Sequence, residues 1–214
     1  MKKEYLLTPG PTPLPPQVSL AMAKPIIHHR TPQFQEILKE AGLGLKWAFQ
    51  TANDVFIISS SGTGAMEAAV INLLSSADTV LVIQGGKFGE RWTEIAKAYG
   101  INSEIINVEW GKAVNPEEIS KRLKSNPQIK AVFSTLCETS TGVDNNIQAI
   151  AAVVKESSAV LVVDAISGLG AVDLKTDAWG VDVVVAGSQK GLMLPPGLGF
   201  ICVSPKAWKL VEAS

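Results

Sequence analysis

From Val55 onward, short runs rich in valine and isoleucine alternate with longer amphipathic stretches. The runs are Val55–Ser59, Val80–Ile83, Ser103–Val108, Ala131–Ser134, Val160–Val163, Val183–Ala186 and Gly199–Val203. Between the early ones lie Ala65–Leu74, Gly89–Tyr99, Pro116–Lys124 and Ile147–Glu156. Runs that are apolar throughout, rather than at alternate positions, mark strands covered on both faces. Strands that alternate with amphipathic stretches predict a parallel sheet flanked by helices. The expected fold is α/β, a mostly parallel seven-stranded sheet with helices on both faces.

The first 54 residues follow another pattern. Pro9, Pro11, Pro13, Pro15 and Pro16 exclude a helix interior or a central strand, so an extended arm lying on some other part of the molecule is expected. A short helix to about Ala23 follows, then a loop with His28, His29 and Arg30. Thr31-Pro32 is a helix start, threonine as N-cap and proline in the first turn. Phe34, Ile37, Leu38, Ala41, Leu45, Ala48 and Phe49 then form one apolar stripe, interrupted by Gly42 and Gly44. The predicted organisation is an arm and short helix over 1–30 and one large domain over 31–214, with no repeat and no break in composition. At the far end, Ser204-Pro205 opens one more helix.

Composition narrows the function. Nineteen basic residues face 20 acidic ones among 214, a net charge of -1. That balance argues against nucleic acid or an anionic membrane as the partner. With 46% hydrophobic and 18% charged residues the chain is globular. No run approaches the roughly 18 apolar residues of a membrane span. No apolar stretch of signal-peptide type follows Lys2 and Lys3. Cys137 and Cys202 read as buried small hydrophobes of a cytoplasmic protein, and no spacing suggests a metal.

In open α/β sheets, ligands sit at the carboxyl ends of the strands. After the first run comes Ser61-Gly62-Thr63-Gly64 opening a helix. Its free N–H groups suit a phosphate, although an ordinary turn with a serine cap has the same sequence. After the second, Phe88 lies between glycines, either stacking on a flat ligand or filling the core. After the fourth, Thr139-Ser140-Thr141 offers three hydroxyls, or simply a polar loop. Asp164 ends the fifth run, where a carboxylate needs a cationic partner or caps a helix. After the sixth, Lys190 lies among small and apolar residues in Gly187-Ser188-Gln189-Lys190-Gly191. Desolvation there lowers an amine's pKa and makes it nucleophilic; the alternative is an exposed loop lysine. A phosphate turn, a stacking ring, a carboxylate and a reactive lysine together meet the needs of pyridoxal 5'-phosphate.

At these residues the chain resembles the class V aminotransferases of the fold-type I pyridoxal-phosphate enzymes, most of all the alanine/serine–glyoxylate (serine–pyruvate) group. The motifs are Thr8-Pro9-Gly10-Pro11-Thr12, His29-Arg30-Thr31-Pro32-Gln33-Phe34, Ser61-Gly62-Thr63, Glu138-Thr139-Ser140-Thr141-Gly142, Asp164-Ala165 and Gly187-Ser188-Gln189-Lys190-Gly191, in order along the whole chain. The resemblance implies that Lys190 forms the Schiff base with the cofactor and shuttles the substrate proton. It implies that Asp164 pairs with the pyridinium nitrogen. Phe88 would stack on one face of the ring and Ile166 pack on the other. Thr139 would lie near the phenolic oxygen, while Gly62, Thr63 and Gln189 hold the phosphate and Gly10 lines the substrate pocket. It also implies a homodimer with the site at the subunit interface.

Two departures stand out. Members of the family are longer, with a C-terminal small domain that supplies an arginine for the substrate carboxylate; none of Arg30, Arg91 and Arg122 matches it. The family also borrows phosphate contacts from the partner subunit, from a segment beyond residue 214. The expected activity is transfer of an amino group from alanine or serine to glyoxylate or pyruvate. The alternatives are another class V reaction, such as desulfurization or kynurenine cleavage, or a non-catalytic cofactor-binding remnant. A nicotinamide dehydrogenase would want GxGxxG near the first strand, which these glycines do not form.

Overall fold

The alternation becomes a three-layer arrangement in the computed structural model, which describes residues 6–214. Helices α1 (Pro16–Met22) and α2 (Pro32–Phe49) lead into β1 (Val55–Ser59), α3 (Gly62–Leu73), β2 (Thr79–Gln84), α4 (Lys87–Ala98) and β3 (Asn102–Asn107). Then come α5 (Pro116–Ser125), β4 (Ile129–Thr135), the short pair β5 (Cys137–Glu138) and β6 (Val143–Asp144), and α6 (Ile147–Val154). The chain continues through β7 (Val160–Asp164), α7 (Thr176–Trp179), β8 (Val183–Gly187), β9 (Leu198–Val203) and α8 (Pro205–Val211). The helix starts are written locally. Thr31, Ser61, Asn115, Asn146 and Ser204 each accept a first-turn backbone N–H, and Pro32, Pro116 and Pro205 follow three of them.

Seven strands form one sheet in the order β1-β9-β8-β7-β4-β2-β3, and β5 pairs with β6 apart from it. Strands β3, β2, β4, β7 and β8 are mutually parallel. Strand β9 runs antiparallel to both of its neighbours, β8 and β1, so the sheet is mostly parallel, as expected. Two apolar layers cover it. Met66 and Val70 of α3, Trp92 and Ala96 of α4 and Ala207 of α8 pack on one face, against Val82, Phe133, Val162 and Val185. Leu45 and Phe49 of α2, Ile119 of α5 and Ile150 and Val154 of α6 pack on the other, against Leu81, Val132, Leu161 and Val184.

Two readings of the apolar pattern change. Strand β1 is not covered on both faces: it forms the sheet edge, with Phe56 and Ile57 exposed and Phe56 set edge-on against Trp208. Helix α2 runs unbroken through Gly42 and Gly44, but only Leu45 and Phe49 of its stripe are buried. Ile37 and Leu38 face solvent with Leu43, and Trp47 is 83% exposed.

The core is deepest where Phe133 meets Trp92, ring centroids 4.6 Å apart and both fully buried. Phe133→Ala is expected to destabilise the protein by about 3–5 kcal/mol, read as a lower urea midpoint at an unchanged m-value.

Candidate functional site

Register decides which strand ends meet. Because β9 is antiparallel to both neighbours, β1 points the same way as β8, and the carboxyl ends of β1, β2, β4, β7 and β8 share one edge. Ser59 pairs with Leu198 and Gly187 with Gly199, so the turn after β1 and the loop after β8 are neighbours across a single strand. The Ser60 N–H donates to the Gly197 carbonyl at 3.0 Å. The chain leaves β2 towards β3 on one side and resumes at β4 on the other, a switch point of the kind that opens a ligand crevice.

Lys190 sits in the loop between β8 and β9. Ser188, fully buried, donates its hydroxyl to the Pro195 carbonyl at 2.6 Å and accepts from the Leu198 N–H at 3.3 Å, closing the loop on itself. The proline-rich arm lies on this loop. The Thr12 N–H donates to the Gln189 carbonyl at 3.0 Å and its hydroxyl to the Lys190 carbonyl at 3.1 Å. A Cβ on Gly10 would stand 2.5 Å from Lys190 Cδ and 2.9 Å from Nζ, so only glycine fits there with the lysine in place. Lys190 is half-buried, and desolvation lowers its pKa from 10.5 against the opposing pull of the Asp164 charge.

Asp164 ends β7 at 5% exposure. Burial pushes its carboxyl up to about 7. The Ile166 N–H, which donates to Oδ1 at 2.8 Å, works against that rise. So do the charges of Arg91 and Lys190, while Glu138 adds to it. The helix-cap alternative for Asp164 fails, because a turn follows and the next helix starts only at Thr176.

At the first turn of α3, Ser61 caps through the Gly64 N–H at 3.3 Å, which leaves the N–H groups of Gly62 and Thr63 at the positive end of the helix. A Cβ on Gly62 would meet Ile166 Cδ1 at 2.6 Å, so this turn and the segment after Asp164 are in close contact. Gln189 Oε1 is buried and has no hydrogen-bond partner among the described residues. Thr139 Oγ1 lies 2.6 Å from Ser167 Oγ.

Phe88 opens α4, half-buried. Two residues given no role in the sequence organise it. Glu138, only 1% exposed, accepts from the N–H groups of Phe88 at 3.1 Å, Gly89 at 2.9 Å and Ser140 at 3.2 Å, and from the Ser140 hydroxyl at 2.6 Å. A carboxylate at a helix N-terminus is also favoured by the helix dipole. Arg91 lies with Cζ 4.7 Å from the Phe88 ring centroid and donates from Nη1 to Thr63 Oγ1 at 3.1 Å. Its spacing of three from Phe88 puts both on one helix face, a signal the sequence did carry. Glu138 offered only a carboxylate in an otherwise apolar and hydroxyl-bearing segment.

The structure thus brings Gly10, Gly62, Thr63, Phe88, Thr139, Asp164, Ile166, Gln189 and Lys190 to one sheet edge. The set fits pyridoxal 5'-phosphate. Free N–H groups suit its phosphate. The orphaned Gln189 amide needs a partner, and turned over it presents an N–H at the same place. A ring cation would hold Asp164 ionised. Among the described residues no cluster of His, Cys, Asp or Glu is arranged to hold a metal, and no helix is long and apolar enough to cross a membrane.

A free aspartate titrates near 3.8 and Asp164 in the folded chain near 7. Between those values the folded chain keeps a proton that the unfolded chain has lost, so Asp164 subtracts stability as the pH rises through that window. Asp164→Asn keeps an acceptor for the Ile166 N–H and removes the titration. Without cofactor, the variant is expected to melt close to the parent at pH 4 and several degrees above it at pH 8, measured by thermal unfolding across that range.

The profile of the family described as aminotransferase class-V matches residues 4–213. The soluble hydrogenase 42 kDa subunit of Anabaena cylindrica is 50% identical over 99% of this chain and 56% of its own length. The serine–glyoxylate aminotransferase of Methylorubrum extorquens is 40% identical over 98% of this chain and 54% of its own. The solved alanine–glyoxylate aminotransferase of Nostoc superposes with a TM-score of 0.95 at 32% identity, over 100% of this chain and 57% of that one. The chain spans about half the length of these relatives. With the fold, the ordered motifs and nearly every residue inside the profile, the chain belongs to the class-V aminotransferases.

Proposed function

We propose that the chain is the cofactor-bearing part of a pyridoxal-phosphate-dependent aminotransferase of the cytoplasm, residues 1–30, of which 1–5 lie outside the described residues, being an arm and short helix and residues 31–214 the large domain. The observation that carries this reading is the meeting of Lys190 and Asp164 at adjacent strand ends, each held away from its ordinary titration by burial. A small amino acid such as alanine or serine is the amino donor and a 2-oxo acid such as glyoxylate or pyruvate the acceptor. The similarity to the Methylorubrum enzyme supports that choice.

When bound, pyridoxal 5'-phosphate supplies an electron sink for the electrons of the substrate's Cα–H bond. The N–H groups of Gly62 and Thr63 and the Gln189 amide bind its phosphate. Asp164 would keep the ring nitrogen protonated, Phe88 and Ile166 would hold the two faces of the ring, and Thr139 would serve its phenolic oxygen. Lys190 would anchor the cofactor covalently and, once freed by the incoming amine, would be the group that takes the proton from the substrate Cα and returns it to the cofactor C4'. Its lowered pKa leaves a larger fraction of the amine free to accept that proton. The Gly10 backbone lines the substrate pocket. Burial and the Asp144 carboxylate push Cys137 up to about 11, the wrong direction for a thiolate nucleophile, so this thiol is not one that a desulfurase would use.

The proposed partner is a second copy of this chain. Leu20 and Met22 on α1 and Ile37, Leu38, Leu43 and Trp47 on α2 are the apolar residues it would cover.

Titration with pyridoxal 5'-phosphate is expected to raise a yellow absorption band, and borohydride to leave a covalent adduct on Lys190 detectable by peptide mass spectrometry. Lys190→Ala is expected to give neither. A parent chain without band or adduct would overturn the cofactor reading of the site. Sedimentation at micromolar concentration with cofactor present is expected to show a dimer, and Trp47→Glu to shift it towards monomer by at least tenfold in dissociation constant. Monomer alone in the parent would overturn the partner assignment.

A further inference from the structure

Arg91 is a half-buried cation in the middle of the candidate site, and no carboxylate among the described residues forms an ion pair with it. Its two contacts join parts of the site that come from different helices. One is the Phe88 ring, with Cζ 4.7 Å from the centroid. The other is Thr63 in the first turn of α3, whose Oγ1 accepts from Nη1 at 3.1 Å. A guanidinium has donors and no acceptor, whereas a threonine hydroxyl has one hydrogen and lone pairs. When Thr63 Oγ1 accepts from Arg91, its own hydrogen must be given elsewhere, and it finds no acceptor among the described residues. It lies in the turn whose N–H groups already suit an anion.

We propose that Arg91 is a positioning residue for the phosphate end of the site. By occupying a lone pair of the Thr63 hydroxyl it commits that hydroxyl to donating outward, to the phosphate of the cofactor. Its stacking on Phe88 holds the guanidinium itself in place beside the phosphate turn. Arg91 thus acts on the phosphate through Thr63, and that effect is separable from any effect on the ring. The inference rests on the reading of the site as a pyridoxal-phosphate site.

The experiment compares binding of pyridoxal 5'-phosphate with that of pyridoxal, which lacks the phosphate, by equilibrium absorption titration. The proteins are the parent, Arg91→Met, Arg91→Lys, Thr63→Val and Arg91→Met/Thr63→Val. Arg91→Met is expected to weaken pyridoxal 5'-phosphate about tenfold, the loss of one charge-assisted hydrogen bond, and to leave pyridoxal within about twofold. Arg91→Lys keeps the charge without the planar fork and falls between parent and Arg91→Met. The double variant is expected to bind no worse than the weaker single one, because both changes break the same link. Equal weakening of the two ligands by Arg91→Met and Arg91→Lys would reduce Arg91 to a scaffold residue and overturn the proposal. So would multiplying losses in the double variant, or parent-like affinity in Arg91→Met. A parent that binds neither ligand overturns the cofactor reading and this inference with it, whereas a parent that binds both keeps the two questions apart.

Discussion

A carboxylate at the end of a strand buried along its whole length is the constraint around which this molecule is arranged. Strand β7 lies between β4 and β8, and Thr135 and Val185 flank Asp164 in register. The side chain is therefore almost cut off from water, although it stands at the strand end where the crevice opens. Burying an ionised carboxylate without a partner costs several kcal/mol, so a group so placed takes up a proton instead. One backbone N–H and the charges of Lys190 and Arg91 act in the other direction and do not cancel the cost. Lys190 is off balance in the complementary sense, its charged form disfavoured by burial. Two opposite groups that are both poorly solvated form an environment to which a ligand carrying a cationic ring nitrogen and an amine-reactive carbon is matched, because it relieves both.

A second buried carboxylate is satisfied inside the protein. Glu138 is buried more completely than Asp164 but has four donors on its two oxygens. These bonds hold the first turn of α4 against the segment after β4. Arg91 stands one turn further along α4. The helix therefore carries an anion-fixed N-terminus and, three residues beyond Phe88, an unpaired guanidinium. Phe88 is held from both directions by groups that are not on the same element.

The strands were legible because the central ones are covered on both faces and so read as unbroken apolar runs. The same pattern misplaced β1, whose composition matches a buried strand although it sits at an edge; nothing in Val55–Ser59 reports which neighbours a strand will have. The direction of β9 had a signal. A parallel return needs a crossover of a dozen residues or more, usually with a helix, and the connection between β8 and β9, Ser188–Gly197, is shorter than that and carries Pro195, Pro196 and Gly197. Lys190, Asp164, Gly62 and Thr63 stood out because each follows a strand directly. Glu138 and the Arg91–Thr63 link did not: Phe88 lies 50 positions from Glu138 and Thr63 lies 28 from Arg91, although the three-residue spacing of Arg91 from Phe88 was legible. Only the strand order makes them neighbours.

The arm links the chemistry to the uncovered surface. Its hydrogen bonds from Thr12 run to the carbonyls of Gln189 and Lys190, and Gly10 lies against the lysine side chain. Helix α1, which follows directly, lines a groove with Leu194, Pro195 and Pro196 of the same loop through Val18, Ala21 and Met22. Beyond it the chain enters α2, where Ile37, Leu38 and Trp47 have no cover. Both faces of the sheet are already occupied, so whatever covers these residues must come from outside the described part of the chain. Apolar area removed from water there is worth about 25 cal/mol per Å². A partner seated on α2 would restrict the segment that carries Gly10, and with it the space around Lys190.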